Sequence, residues 1–316
     1  MRSPSKLLVK FSRKLFDDVV QQEHFIAALT TPQPLSPCVL WCHDPPHDIP
    51  FAVEAPQPWQ PKFVDRLGRH ERPGRHPWHD EGYFYCLDFS SVFAASILQA
   101  IASPMRVVFD MCASPGGKSV FAWRLFQPDL LLSNEVIGKR MGTLISNLKR
   151  CQSRPAIALS LDSKIVADEL PHASDLVMVD APCTGQSLLV KGTPAPGCFH
   201  PVTINKNANR QKRILANSAR LVAPQGYLAY TTCAYSPDEN EGVSQWFLQR
   251  FPMFQPVEAP MLSRFQSHLT EMPCYRMLPQ SGLGAGAFTI LFQNAESGDR
   301  SPIPESFLAN PRLKFL

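Results

Sequence analysis

No stretch of this sequence approaches the roughly 18 consecutive apolar residues that a membrane-spanning helix needs. The basic start, Met1 to Lys14, has an apolar run only from Leu7 to Val9, too short for a signal peptide. A Gly-x-Gly-x-x-Gly dinucleotide fingerprint is missing: the one glycine-rich turn after a strand has only Gly116-Gly117. A phosphate-cradling loop is missing too. Gly117-Lys118-Ser119 mimics its end, but Cys112 stands where its first glycine belongs. These two absences speak against NAD and ATP as ligands. The nine cysteines are odd in number and irregularly spaced. That argues for reduced thiols in a cytosol, hence a cytoplasmic protein, and against a disulfide framework. Neither sign of charge is in large surplus: the net charge of +4 permits a nucleic-acid partner without demanding one.

What is present centres on Val107-Val-Phe-Asp-Met-Cys-Ala-Ser-Pro-Gly-Gly-Lys-Ser119. The apolar run Val107 to Phe109 predicts a buried strand, the small residues a turn, and Ser119 onward a helix. A strand, a tight turn and a helix make the first half of a nucleotide-binding α/β unit. A second strand over 130–132 leads to Asn134-Glu135, and a helix is predicted over 138–150. Further strands over 156–161, 176–179 and 226–231 lead to Asp162, Asp180 and Cys233. Glu135 follows Gly116 by 19 positions, about the separation at which a second-strand carboxylate meets a nucleoside ribose. A doubly wound, mostly parallel sheet therefore gathers Asp110, Glu135, Asp162, Asp180 and Cys233 along one edge, where such sheets bind ligands. A single acid there is commonly a helix cap; five such positions are hard to explain as caps. S-adenosylmethionine suits this edge, because its ribose wants a carboxylate and its sulfonium tolerates acids that would repel a triphosphate.

Two cysteines each follow a strand on that edge, in Asp180-Ala-Pro-Cys-Thr-Gly185 and Thr231-Thr-Cys-Ala-Tyr-Ser-Pro-Asp-Glu-Asn-Glu241. Either alone reads as a small buried apolar side chain. Together they suit chemistry on a pyrimidine. A thiolate added to C6 makes C5 nucleophilic, and a carboxyl such as Asp180 can bond the N3 and N4 side of cytosine. A second thiol beside the first could help break the adduct.

Asp110-Met-Cys-Ala-Ser-Pro-Gly-Gly-Lys118, Asp180-Ala-Pro-Cys-Thr-Gly185 and Thr232-Cys233 with Glu239-Asn240-Glu241 resemble the signatures of the RsmB/Nop/Sun family of RNA 5-methylcytosine methyltransferases. The likeness extends to 134–150, 209–215 and the hairpin 276–292, and covers about residues 81–293. It implies a class I, Rossmann-like S-adenosylmethionine-dependent methyltransferase acting on RNA, ribosomal first and transfer RNA next. It implies Cys233 as the nucleophile on C6, Cys183 as the cysteine linked to release, and Asp180 as the acid contacting the base. It implies a cofactor pocket from Cys112, Ala113, Ser114, Pro115, Gly116, Gly117 and Lys118 with Glu135, Arg140, Asp162 and Asp180. Lys118 is expected near the methionine end or the target base, among the catalytic residues, and the cytosine must leave its stack to be reached.

The sequence divides into an N-terminal appendage over 1–80, a catalytic domain over 81–295 and a tail over 296–316; a monomer is expected. Within the appendage, residues 11–29 suggest one amphipathic helix and the proline-rich stretch 31–61 irregular chain with a strand near 39–41. Residues 62–79 mix Lys62, Arg66, Arg69, Arg72 and Arg75 with Phe63 and Trp78, a mixture that suits RNA backbone and unstacked bases and equally a solvated loop. Cys38, Cys42, His43 and His47 lie close together but match no common zinc spacing; buried thiols and loop histidines explain them, and no metal is expected. The chain ends soon after the hairpin, so target choice is expected to rest on the catalytic surface and the appendage. A 5-methyluracil enzyme leaves the second cysteine unexplained. A non-catalytic RNA-binding assembly factor has no need of Asp180, Cys183 and Cys233 together.

Overall fold

The computed structural model describes residues 4–31 and 33–316; residues 1–3 and 32, part of the expected appendage, lie outside the described residues. The chain begins with two helices, α1 (Lys6–Leu15) and α2 (Val19–Thr30), where the apolar spacing predicts one. Ser5 caps α1 by accepting from Leu8 N at 3.2 Å, and Asp18 caps α2 by accepting from Val20 N at 3.0 Å. A side-chain oxygen that captures a free helix N–H starts a new helix, so Asp18 splits the predicted one. The proline-rich stretch supplies β1 (Cys38–Trp41); β2 (Val64–Arg66), the single turn α3 (Pro77–Asp80) and β3 (Phe84–Leu87) follow. These strands form an antiparallel sheet in the order β2-β1-β3. The expected boundary at residue 80 thus falls inside one small sheet, where Trp41 of β1 buries its ring 5.5 Å from that of Phe84 in β3.

The regular alternation follows: α4 (Phe89–Ser96), β4 (Val107–Asp110), α5 (Gly117–Phe126), β5 (Leu130–Asn134), α6 (Gly138–Arg150), β6 (Ala156–Leu159), α7 (Ser163–Glu169), β7 (Ser174–Asp180), α8 (Pro201–Ala219) and β8 (Val222–Thr232). Then come α9 (Glu241–Arg250), β9 (Phe254–Pro256), β10 (Tyr275–Met277), β11 (Ala287–Asn294), α10 (Glu305–Leu308) and β12 (Lys314–Phe315). The large sheet has nine strands in the order β10-β11-β8-β7-β4-β5-β6-β12, with β9 also on β11. Strands β8, β7, β4, β5 and β6 run parallel; β9, β10, β11 and β12 are antiparallel additions. This is the doubly wound, mostly parallel sheet expected. Runs such as Val107-Val-Phe and Leu176-Val-Met-Val are buried on both faces, as parallel strands covered by helices must be.

The chain leaves β4 for β5 and β6 on one side, then returns for β7 and β8 on the other. Loops after β4 and β7 therefore diverge and open a crevice above the sheet's C-terminal edge. Asp88 caps α4 by accepting from Ser90 N at 2.9 Å. Ser90 Oγ accepts from Gly286 N at 2.8 Å and ties α4 to the turn before β11. Among residues 296–316, β12 pairs with β6, so the expected tail contributes to the sheet.

Candidate active site

The loops after β4, β5, β6, β7 and β8 converge on a cleft of about 720 Å³ at the C-terminal edge of the parallel strands. Cys112, Ser114, Pro115, Lys118, Glu135, Arg140, Asp162 and Asp180 all line it. Ala113 and Gly117 border a smaller cavity of about 220 Å³ behind the loop. Gly116 lies against Leu144 and Asn147 of α6 instead. Both glycines have physical reasons. Gly116 takes φ +114°, which few side chains tolerate, and a Cβ on Gly117 would stand 2.6 Å from Leu87 Cδ1. The turn they permit brings α5 close to β3 and aims Lys118 across the crevice.

Glu135 is 3 % exposed and accepts from Ile137 N at 2.8 Å, with Arg140 Nη1 at 3.1 Å from its other oxygen. Arg140 also donates to the Ser114 carbonyl, so α6 holds the loop after β4. Asp162 does what a strand-end acid commonly does: it caps α7 by accepting from Lys164 N at 2.9 Å, while still facing the cleft. Sequence reading missed Asn134. Its amide donates to the Met111 and Leu161 carbonyls at 3.1 Å and accepts from Leu161 N at 3.0 Å, riveting three strand ends together. The available signal was a polar residue ending an apolar strand beside Glu135.

Across the cleft, Lys118 Nζ donates to Asp180 Oδ2 at 2.8 Å, and Thr231 Oγ1 donates to Asp180 Oδ1 at 2.9 Å. Burial works against the Lys118 charge, yet attraction to Asp180 outweighs it and raises the ammonium's pKa. Next to this pair lie two free thiols, Cys183 and Cys233, with sulfurs 3.1 Å apart. The hydrogen bond with Cys183 lowers the Cys233 pKa, with Ser187 and Lys118 helping, although burial and Asp180 oppose it. The same bond, with burial, pushes Cys183 well above the ordinary thiol range. Of the two thiols, Cys233 is therefore the one that ionises more readily.

Both cysteine loops are held from behind. Buried Glu239 accepts from Thr184 N at 2.9 Å, Thr184 Oγ1 at 2.6 Å and Gln211 Nε2 at 3.0 Å. Gln186 accepts from Tyr235 N at 2.6 Å and Ser236 N at 3.0 Å, and donates to the Cys198 carbonyl at 2.8 Å. Arg276 grips Glu241 in a buried ion pair and donates to the Tyr235 carbonyl at 2.8 Å. The support roles of Gln186, Gln211 and Arg276 were not foreseen. Asp88, Lys191, Arg210 and Arg213 also line the cleft. The i, i+3 spacing of the two arginines on α8 was the sequence signal for them.

Asp110 is fully buried at the end of β4 and accepts from Ser119 Oγ at 2.7 Å. Burial pushes its pKa up to about 7, against the opposing Ser119 bond. An unfolded Asp titrates near 3.9. Between those values the unfolded chain sheds a proton that the fold retains, so this group's stabilisation is full below about 4 and lost as pH rises through about 7. Asp110→Asn keeps the shape and removes the titration. The expected result is a variant more stable than the parent at pH 8, by about 4 kcal/mol at most, with the gain shrinking toward pH 5. Denaturant melts at the two pH values check it; an equal difference at both would refute it.

In the appendage, Phe63 packs on Phe121, and Trp78 on Trp41 and Tyr83, so the aromatics of 62–79 turn inward. Arg66 pairs with Glu54 at 2.5 Å, while Lys62, Arg69, Arg72 and Arg75 stay exposed. Cys38 and Cys42 are buried, and His43 and His47 are exposed; among the described residues no group of three His, Cys, Asp or Glu is placed to hold a metal.

A family model described as 16S rRNA methyltransferase RsmB/F matches residues 98–293. The chain belongs to this family. Among curated relatives, the RsmB/F-family chain is 28 % identical over 257 residues to ribosomal RNA small subunit methyltransferase F of Cronobacter sakazakii. That match covers 79 % of this chain and 53 % of the relative. The same protein of Klebsiella pneumoniae matches at 28 % identity over 79 % of this chain and 54 % of its own length. The chain thus spans about half the length of the curated relatives it matches. A solved methyltransferase homologue from Pyrococcus horikoshii superposes with a TM-score of 0.75 at 23 % identity, covering 92 % of this chain and 95 % of that one. NSun6 from Pyrococcus horikoshii superposes with a TM-score of 0.70 at 17 % identity, covering 93 % and 99 %. At these identities the two structures speak for the fold, that of a class I methyltransferase.

Proposed function

We propose that this chain methylates C5 of cytosine in RNA, ribosomal RNA before transfer RNA, with S-adenosylmethionine as the methyl donor. The observation that carries the reading is the thiol pair Cys183–Cys233 beside the Lys118–Asp180 ion pair, in a cleft at the ligand-binding edge of the sheet. The cleft's chemistry fits the donor: a carboxylate, Glu135, for ribose hydroxyls, Asp162 beyond it, and the Cys112–Lys118 turn toward the methionine end. When bound, S-adenosylmethionine supplies an electrophilic methyl group.

The remaining work belongs to this chain's own side chains. Cys233, charged in preference to Cys183, adds to C6 of the extruded cytosine. That addition places electron density on C5, which takes the methyl group. Asp180, oriented by Lys118 and Thr231, accepts from the cytosine N4 amino group and fixes the base over Cys233. After methylation C5 must lose its proton and the Cys233–C6 bond must break. Cys183, whose loop is braced by Glu239 and Gln186 so that its sulfur lies 3.1 Å from that of Cys233, assists that release. The same reading places the protein in the cytoplasm, in keeping with nine free thiols.

The test combines purified protein, total RNA from the native host and S-adenosylmethionine labelled in its methyl group, followed by digestion to nucleosides. Labelled 5-methylcytidine is the expected product. Labelled 5-methyluridine would overturn the base assignment. RNA binding without any label would favour a non-catalytic assembly factor.

A further inference from the structure

The net charge of the chain hides a concentrated surface. Helix α1 carries Lys6, Lys10, Arg13 and Lys14, and α8 carries Lys206, Arg210, Lys212 and Arg213; neither helix contains an Asp or Glu. Eight positive charges thus sit on two helices of a chain whose total is +4, leaving the rest net negative by four. The two helices are neighbours, joined where Phe11 of α1 meets Phe199, just before α8, at 5.0 Å between ring centroids. Between them runs an open groove of about 680 Å³, nearly as large as the active-site cleft. Its floor is apolar, formed by Leu7, Phe11, Phe199 and Ile204, and its rim carries Lys10, Lys14 and Lys212. Acids nearby are few: Asp17 and Asp18 just beyond α1, and Asp238, which pairs with Lys14 at 2.7 Å.

Helix α8 is also a wall of the active-site cleft, through Arg210 and Arg213. The two grooves therefore lie on either side of one helix, about 10 Å across. That distance is within reach of one or two nucleotides of extended strand. We infer that the α1–α8 groove is a second RNA site, which seats a nucleotide flanking the target cytosine. Lys10 and Lys212 take phosphates there, and Phe11 and Phe199 offer the base an apolar floor. Cations beside an aromatic floor are the chemistry that holds unstacked single strands; Lys10 is exposed, and Lys212 is half-buried with its ammonium over the Trp246 ring. An acidic peptide would meet the cations equally well, but it would have no reason to continue across α8 into the cleft. The inference rests on the reading of RNA as substrate.

The experiment compares the full chain with Lys10→Glu/Lys212→Glu and the milder Lys10→Gln/Lys212→Gln, neither of which touches the cleft. Circular dichroism and S-adenosylmethionine binding verify that each variant is folded. RNA affinity is then measured from low to physiological salt. Neutralising a single-strand phosphate contributes about 0.7 to the slope of log affinity against log salt. The expected result is a slope smaller by about 1.4, an affinity for long RNA at least about tenfold weaker for the Glu pair, and KM raised with kcat kept. Photo-crosslinking of 4-thiouridine RNA to peptides of α1 or 199–212 is the positional readout. A folded Glu pair that binds and methylates long RNA as the parent does would overturn the inference and point to a peptide in the groove. A parent that neither binds nor methylates RNA would overturn the substrate reading itself.

Discussion

Cys233→Ala is expected to abolish methyl transfer, a loss on the order of 10³-fold or more in kcat, while the chain still binds S-adenosylmethionine. Removal of a covalent nucleophile leaves only binding and positioning, so the loss is far larger than that of a single hydrogen bond. The companion result separates the two thiols. Cys183→Ala should form the bond to C6 but release it slowly, so protein covalently attached to RNA accumulates on denaturing gels, and none accumulates when Cys233 is replaced. The directions of the two thiol pKa shifts are the reason for this assignment: the bond between the sulfurs, with burial, pushes Cys183 up, whereas that bond draws Cys233 down. An adduct that builds up in Cys233→Ala instead would exchange the two roles. The pH profile carries the same sign. The reactive form of Cys233 is the thiolate, so the rate rises with pH through a value below the ordinary thiol range. Lys118→Met removes a charge that lowers the Cys233 pKa, and it should move that rise toward alkaline pH.

Arg276→Ala should be the most damaging change outside the cleft. The Arg276 and Glu241 side chains are 3 % and 5 % exposed and face each other through two contacts. Ser267 Oγ adds a bond to Glu241 at 2.6 Å, and Arg276 reaches the Tyr235 carbonyl. Removing one partner strands the other as a buried charge, at a cost of about 3–5 kcal/mol, which lowers a melting temperature by on the order of 10 °C in a domain of this size. Arg276→Met with Glu241→Met removes both charges and should recover much of the loss. A single variant as stable as the parent would mean that water reaches Glu241. Activity should fall even below the melting point, because Tyr235 lies two residues after Cys233 and its position depends on this grip.

Much of the catalytic half was legible in the sequence because local rules and tertiary packing agree there. Short apolar runs that end in Asp, Asn or Thr became β4, β5, β7 and β8, and the helix predicted over 138–150 is α6 with the same bounds. What the sequence concealed depends on partners far along the chain. Glu239 and Thr184 are 55 positions apart, and Arg276 and Glu241 are 35 apart. No local pattern marks such pairs. The break between α1 and α2 was hidden for a different reason. Apolar residues of both helices enter one cluster with Tyr235 and Ala285, so the helical period runs on across the Asp18 cap. The arginine-rich stretch 62–79 shows the limit of composition: it names residue types but not which way the rings face.

The two margins of the large sheet remain. A parallel sheet ending at β6 would present a full row of unpaired N–H and C=O groups, a template for a strand from another molecule. Here Lys314–Phe315 lies antiparallel on that margin, and Leu316 N donates to the Ala156 carbonyl at 2.9 Å. The opposite margin is β10, only three residues long, partly shielded by the bridge from Gln266 to Tyr275. Among the described residues, neither margin of this sheet is a long unpaired strand. The last described residues thus occupy the β6 edge that a strand from another molecule would otherwise pair with.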